Sequence, residues 1–241
     1  MDVKVTFFMT GGWVESYPDD VKAIYEAGHD LGNHSERHKD MATIGAAEQM
    51  DELMSVHNKV KELTGYEMFL FRPPYGSYNN ELITTAETCG YYPIQWSVDS
   101  LDWKDYGTDN IISTVCEHKA LGCGAIILMH NGATYTADAL ETIITNIRDA
   151  GYEIVPISQL IYKEQYHLDV GGTQIFDGAS PSGESTTPQD NSSLGETDTA
   201  PEESGSSQGM DAAPANADKT GGENTAPKSG HIHGTPAAPE S

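Results

Sequence analysis

Residues 3–9 of this 241-residue chain read VKVTFFM, a β-branched and aromatic run that is followed by two glycines after one more residue. Such a run favours a strand, and the glycines favour its end. Apolar side chains then recur at helical spacing over residues 16–27 until Gly28. Residues 30–33 (DLGN) are interpreted as a second, short strand. The sequence therefore predicts a strand, a helix and a second strand at its start.

The same alternation continues along the chain. Further strands are predicted at 69–72, 93–98, 125–129 and 153–156, and further helices at 46–63, 80–89, 111–121 and 137–150. This alternation predicts a parallel sheet with helices outside it, either open or closed as a barrel. Residues 125–129 (AIILM) are apolar throughout, which is typical of a central strand covered on both faces.

The composition changes near residue 170. Residues 171–241 are rich in Gly, Ser, Pro, Thr and Ala and carry a net charge of −9. A segment with so few large apolar side chains cannot offset the entropy that ordering its backbone would cost. We therefore expect one folded domain over residues 1–165 and a disordered acidic tail over residues 170–241.

Charge and cysteine content exclude several classes of protein. The net charge is −24, of which −15 falls outside the acidic segment, whereas binding to nucleic acid or anionic membranes needs clusters of Lys and Arg. No apolar run reaches the length of a membrane helix. The three cysteines lack C-x-x-C spacing and make no disulfide framework. We expect no nucleic-acid partner and no membrane span.

Two histidines four residues apart, His34 and His38 in NHSERH, follow the second predicted strand. An H-x-x-x-H pair can place two imidazoles on one divalent metal ion, although each is also compatible with an ordinary core or surface histidine. A catalytic zinc site needs a third protein ligand, commonly a carboxylate, and an open water position. Four other histidines are expected to have no partners: His29, His57, His118 and His167.

The segment RPPYG at residues 72–76 ends another predicted strand. It is compatible with a simple rigid turn, because prolines cannot donate to a sheet. In a functional interpretation, Arg72 at the strand edge holds a carboxylate in bidentate geometry. The two prolines would then stiffen a loop that presents the Tyr75 N–H to an oxyanion.

The segments DSLDW at residues 99–103 and LMH at residues 128–130 follow the remaining predicted strands. Residues 99–103 are also compatible with an acidic loop that covers a packed tryptophan. Residues 128–130 are also compatible with a structural histidine that is hydrogen-bonded at the end of a strand. If Asp102 lies beside His130, the histidine can act as a general acid with a carboxylate partner. Trp103 would then line an apolar pocket. Parallel α/β proteins build their sites at this edge of the sheet.

These motifs, in this order, resemble the polysaccharide deacetylases of carbohydrate esterase family 4 over about residues 3–161. The resemblance implies a distorted (β/α) barrel with fewer than eight strands. It also implies metal-dependent removal of N-acetyl groups from a cell-wall polysaccharide, either peptidoglycan or a chitin-like polymer. The motifs FRPPYG (residues 71–76) and DSLDWK (residues 99–104) together are most similar to those of the bacterial peptidoglycan and sporulation branch of the family.

The resemblance also implies a role for each motif residue. His34 and His38 would ligate a divalent ion, most simply zinc. Arg72 would orient the catalytic base, and the Tyr75 amide would stabilise the oxyanion.

Further roles follow for the later motifs. Asp102 would tune His130, which would act as the general acid. The remaining residues are expected to form the substrate pocket around the acetyl group: Trp103, Leu128, Pro73 and Pro74.

The first motif of the family has no counterpart in this sequence. In the family a T-F-D-D-G-type loop precedes the strand that matches residues 3–9 and supplies the base and the third metal ligand. Asp2 and the pair Asp19 and Asp20 do not stand in that place. We therefore expect an N-terminally truncated domain, inactive by itself, from a monomeric extracellular or envelope-associated enzyme. Two alternatives are a non-catalytic carbohydrate-binding pseudoenzyme of the envelope and another metal amidohydrolase acting on a small substrate.

Overall fold

The computed structural model describes residues 1–169 and 171–178 of the chain. Its strands are β1 (Thr6–Met9), β2 (Asp30–Asn33), β3 (Leu70–Phe71), β4 (Tyr92–Pro93), β5 (Val98–Asp99), β6 (Ile127–Leu128), β7 (Tyr166–Leu168) and β8 (Gln174–Phe176). Its helices are α1 (Gly11–Ser16), α2 (Pro18–Glu26), α3 (Ala46–Thr64), α4 (Asn80–Thr88), α5 (Thr108–Cys116), α6 (Thr136–Asp149) and α7 (Ile157–Leu160).

The first four strands form one parallel sheet in chain order. Met9 of β1 pairs with Asn33 of β2, and Phe71 of β3 pairs with both Asn33 and Pro93. Strands β5 and β6 form a separate parallel pair. The predicted parallel α/β arrangement is therefore confirmed.

The predicted barrel does not close within residues 1–169 and 171–178, because no ladder joins β4 to β5 or β6 to β1. Residues 153–156, the predicted last strand, also form no ladder. Pro156 has no N–H to donate, and side chains of β1 and β2 instead hold the first two residues of α7, which follow it. The Thr6 hydroxyl accepts the N–H of Ile157 at 2.9 Å, and Asp30 accepts that of Ser158 at 2.9 Å. The strand prediction was wrong here because an apolar pattern does not supply a neighbouring strand.

Two apolar clusters make up most of the core. The larger one lies between the four-stranded sheet and helices α1 to α4, and it includes Val21, Leu53 and Phe71. The smaller one joins β5 to helices α5 and α6 through Val98 and Ile143. Among the residues that the structure describes, no helix has the length and apolar character needed to cross a membrane.

Two helix predictions need comment. Helix α2 begins at Pro18 with Asp19 and Asp20 in its first turn, where acidic side chains interact favourably with the helix dipole. These two acids therefore have a local structural role. Helix α5 covers Thr108–Cys116, three residues earlier than predicted at its start and five residues shorter than predicted at its end.

The antiparallel hairpin of β7 and β8 was not predicted. Strand β8 lies inside the range 170–241 that the composition assigns to the tail, so regular structure extends past the expected boundary. The rest of the predicted tail, residues 179–241, lies outside the described residues.

Candidate active site

The loop after β2 carries the histidine pair in an unusual backbone conformation. Ser35 has φ 66° and His38 has φ 54°, a left-handed region that is costly for residues other than glycine. The loop is held against α1 by a hydrogen bond from the Gly11 N–H to the Ser35 carbonyl at 3.1 Å. Backbone strain of this kind persists where surrounding contacts determine it, and it clusters at functional sites.

The two imidazoles face each other through their Nε2 atoms, which lie 3.2 Å apart. The other ring nitrogen of His34, Nδ1, donates to the carbonyl of Arg72 at 2.7 Å, which leaves Nε2 with a free lone pair. Burial lowers the pKa of His34 to about 4 and also lowers the pKa of His38. Both rings are therefore neutral at pH 7, which is the state that binds metals.

This geometry fits two ligands of one metal ion. Two nitrogens that bind a tetrahedral zinc at about 2.0–2.1 Å lie about 3.3 Å from each other. The observed separation of 3.2 Å agrees with that value. Among residues 1–169 and 171–178, no group of three or more His, Cys, Asp or Glu side chains is arranged to hold an ion. The pair could thus supply two ligands, and the described residues offer no third.

Arg72, at the end of β3, is a buried cation. Its side chain is 7% exposed, its Nε has no hydrogen-bond partner among the described residues, and its Nη2 donates only to the Gln95 carbonyl at 3.5 Å. The guanidinium lies 4.2 Å from the centre of the Phe8 ring. Burial lowers the pKa of Arg72 to about 10, so the group remains charged at pH 7. A buried charge without a carboxylate is costly, which is compatible with the predicted role of binding one.

The turn after Arg72 presents Tyr75 to the histidine pair. Pro73 and Pro74 are buried, whereas Tyr75 has φ 61° and an exposed side chain. Its ring lies 4.7 Å from that of His38. Within the described part of the chain the Tyr75 N–H donates to no backbone carbonyl, so it is available to an acceptor.

Asp102 and His130 form the second part of the site. The Asp102 side chain is fully buried and accepts the backbone N–H of His130 at 2.6 Å and its ring Nδ1–H at 2.7 Å. The hydroxyl of Thr136 donates to the same carboxylate at 2.7 Å. Burial alone would raise the pKa of Asp102, but these hydrogen bonds hold the pKa below its usual value. Burial is the main cause of the lowered pKa of His34 and His38, and a charged His130 would lower both further.

A cavity of about 290 Å³ opens beside His130 and is lined by Trp103, Asp105, His130, Gly132, Ala133 and Thr134. The half-exposed Trp103 thus lies where the sequence predicts a pocket wall. The other three predicted pocket residues, Leu128, Pro73 and Pro74, are buried and do not line this cavity.

Sequence reasoning missed several polar residues that support the site. The sequence around Thr136 indicates only the start of a helix, and nothing in it predicts that the Thr136 hydroxyl binds Asp102. The expectation that the four other histidines lack partners was wrong. His57 bonds to Tyr91 and Glu67, His29 to the Val5 N–H, His118 to the Ala120 N–H and His167 to Asp177. The contacts of His29 with Val5 and of His57 with Tyr91 join distant parts of the chain and leave no local mark, whereas the contact of His118 with Ala120 is local.

Comparison with known proteins identifies the family. Residues 1–94 match the family model described as polysaccharide deacetylase. The chain is 38% identical over 176 residues to the peptidoglycan-N-acetylglucosamine deacetylase PgdA of Listeria monocytogenes. The aligned region covers 73% of this chain and 36% of that protein. It is 34% identical over 171 residues to the peptidoglycan-N-acetylmuramic acid deacetylase PdaA of Bacillus subtilis. That aligned region covers 68% of this chain and 63% of that protein.

A solved structure is similar as well. The family 4 pseudoenzyme BA3943 of Bacillus anthracis matches with a TM-score of 0.63 and 34% identity over 66% of this chain and 56% of that chain. The chain spans 36% of the Listeria protein and 63% of the Bacillus subtilis protein, so it is shorter than the curated relatives that it matches. By its sequence and its fold, this chain belongs to the polysaccharide deacetylase family, carbohydrate esterase family 4.

Proposed function

We propose that this chain carries the metal-binding and proton-donating half of a deacetylase that removes N-acetyl groups from peptidoglycan or a chitin-like polysaccharide at the cell envelope. The observation that carries the proposal is the convergence of the His34 and His38 Nε2 atoms, 3.2 Å apart. The buried Asp102–His130 pair supports it. The named relatives act on peptidoglycan, and we extend that substrate class to this chain.

The residues at the site divide the chemistry among them. A divalent ion, most simply zinc, held by His34 and His38 would polarise the acetyl carbonyl as a Lewis acid. The Tyr75 N–H would donate a hydrogen bond to the carbonyl oxygen as negative charge develops on it. Trp103 would pack against the substrate in the cavity beside His130.

His130 would deliver the proton that the departing amine needs. Its Nδ1–H is held by Asp102, so Nε2 is the nitrogen free to carry and transfer that proton. The Asp102 carboxylate keeps the ring in one orientation and stabilises its charged form. Water is the co-reactant: its oxygen would bond to the acetyl carbon, the carbon–nitrogen bond would break, and the products would be acetate and a free amino sugar.

The described residues offer no carboxylate as a third ligand beside the histidine pair, and Arg72 has no carboxylate partner among them. We therefore infer that the 241-residue chain by itself binds the ion weakly and turns over slowly. Loss of a ligand and of a catalytic base removes several kcal/mol of transition-state stabilisation.

The test is acetate release from peptidoglycan and from chitooligosaccharides by the full chain, with and without Zn²⁺. We expect slow release that requires Zn²⁺ and disappears in His34→Ala and His130→Ala, with the exposed His167→Ala as the matched control. Acetate release at rates typical of the family would contradict the inferred weak ion binding and slow turnover.

A second function is favoured by the named pseudoenzyme among the similar structures. In that case the chain would bind peptidoglycan without hydrolysing it. Acetate release indistinguishable from the blank, together with peptidoglycan binding that His34→Ala and His130→Ala leave unchanged, would favour this function over the enzymatic one.

A further inference from the structure

A polar network runs from the protein surface to the loop that carries the histidine pair. Its members are Glu67, His57, Tyr91, Asn33 and Ser35. Glu67 bonds to His57 Nε2 at 2.8 Å, His57 Nδ1 bonds to the Tyr91 hydroxyl at 2.9 Å, and that hydroxyl bonds to Asn33 Nδ2 at 2.9 Å. None of these links is between neighbours in sequence.

The donors and acceptors of the polar network can be assigned. Asn33 Nδ2 carries only protons, so the Tyr91 oxygen accepts from it. Since the Glu67 carboxylate accepts from His57 Nε2, a neutral His57 accepts the Tyr91 hydroxyl proton at Nδ1. His57 then carries its proton on Nε2 and donates to the Glu67 carboxylate. Tyr91 is 2% exposed, and burial raises the pKa of its phenol, so the donor is present at any physiological pH.

At its inner end the polar network determines the shape of the loop. The second Nδ2 proton of Asn33 goes to the Leu53 carbonyl at 2.8 Å, and Asn33 Oδ1 accepts the Ser35 N–H at 2.9 Å. The Ser35 hydroxyl in turn accepts the His38 N–H at 2.9 Å. Ser35 and His38 are the two residues of this loop with positive φ, so these bonds hold the conformation that brings the two imidazoles together.

We propose that Tyr91 is a positioning residue for the histidine pair and that His57 sets the direction of its hydroxyl. The inference rests on the proposed function, since it concerns metal binding by His34 and His38. The hydroxyl fixes the amide of Asn33, which leaves Oδ1 directed at Ser35. Polar partners that orient metal ligands typically change metal affinity by about 10- to 100-fold when they are removed.

The test compares Zn²⁺ affinity in the full chain, measured by competition with a chromophoric chelator, for the wild type and for Tyr91→Phe. The variant keeps the ring in the core and removes only the hydroxyl. We expect affinity to fall about tenfold or more while circular dichroism shows the native fold. The matched control is Tyr92→Phe, whose hydroxyl bonds to the Lys163 carbonyl at 3.3 Å instead of to the polar network.

A double mutant separates positioning from general stability. In the His38→Ala background, Tyr91→Phe is expected to change Zn²⁺ affinity less than twofold, because the ligand that it positions is gone. An equal loss of affinity in both backgrounds would overturn the proposal. If Tyr91→Phe does not fold, His57→Gln replaces it, with an expected loss of at least threefold, and unchanged affinity in that variant would overturn the proposal.

The two inferences fail differently. A wild-type chain that binds no Zn²⁺, or binds it equally well after His34→Ala, contradicts the proposed function. A chain that binds Zn²⁺ through both histidines but does not respond to Tyr91→Phe contradicts only the role of Tyr91.

Discussion

Asp102 accepts both the backbone N–H and the ring Nδ1–H of His130, at 2.6 and 2.7 Å, from a position 28 residues earlier in the chain. The carboxylate thus fixes the backbone directly after β6 and the direction in which the imidazole faces. A single buried side chain joins the two segments and orients the proton donor.

Asp102→Asn should impair this pair and remove one source of pH-dependent stability. The pKa of Asp102 is lowered in the folded state, so its contribution is present above the unfolded value of about 3.9 and is lost as pH falls through the lower folded pKa. We expect the difference in unfolding free energy between wild type and variant to shrink below about pH 4. Urea unfolding at pH 7 and pH 3.5 measures it, and a difference independent of pH would contradict the assignment.

His34 has a proton balance of the same sign as that of Asp102, but over a higher range of pH. Burial lowers its pKa to about 4, whereas an unfolded histidine titrates near 6.5, so the unfolded state binds more protons between these values. Metal-free wild type should therefore lose stability as pH falls from about 6.5 to 4, by about 1 kcal/mol per pH unit from this group.

His34→Gln serves as the reference for that loss because glutamine does not titrate. Its unfolding free energy, followed by urea denaturation over the same pH range, should decline less steeply than that of the wild type. Parallel curves would show that His34 is not the group responsible.

Gly11 lies against the loop of the histidine pair. A Cβ at this position would come within 1.9 Å of Glu36 Oε2, and the Glu36 carboxylate is also held by Lys59. Gly11→Ala should therefore displace the end of the flexible Glu36 side chain and leave the protein about 1 kcal/mol less stable than the control variant in unfolding free energy. Gly12→Ala is the matched control, since a Cβ there meets nothing within 4 Å. Equal stabilities of the two variants in urea unfolding would contradict this reading.

Asp30 connects the sheet to the segment that replaces the predicted last strand. Its carboxylate accepts the Thr6 hydroxyl at 3.0 Å and both the N–H and the hydroxyl of Ser158 at 2.9 and 2.8 Å. Asp30→Ala leaves these donors without a partner and should cost about 2–4 kcal/mol. Asp51→Ala on the exposed side of α3 is the control and should change stability by less than about 0.5 kcal/mol. Thermal and urea unfolding of both variants provide the comparison.

Sequence patterns were reliable where the determinant was local. The strand at residues 30–33 matches the structure. The helix beginning at Ala46 also matches, because its apolar spacing and the glycine that ends it act within one element. The same reasoning failed for residues 153–156, because a ladder needs a partner that no local pattern can specify. It also failed for His57, whose partners Glu67 and Tyr91 lie 10 and 34 residues away.

By itself, the sequence determined the α/β class and the segments that carry the chemistry, since periodicity, turn residues and spaced histidines are properties of short stretches. Only the tertiary structure decided that Asp102 meets His130, that the two imidazoles converge at 3.2 Å, and that Tyr91 reaches Asn33. These contacts join residues on different elements, and their distances depend on how the parallel strands are placed side by side.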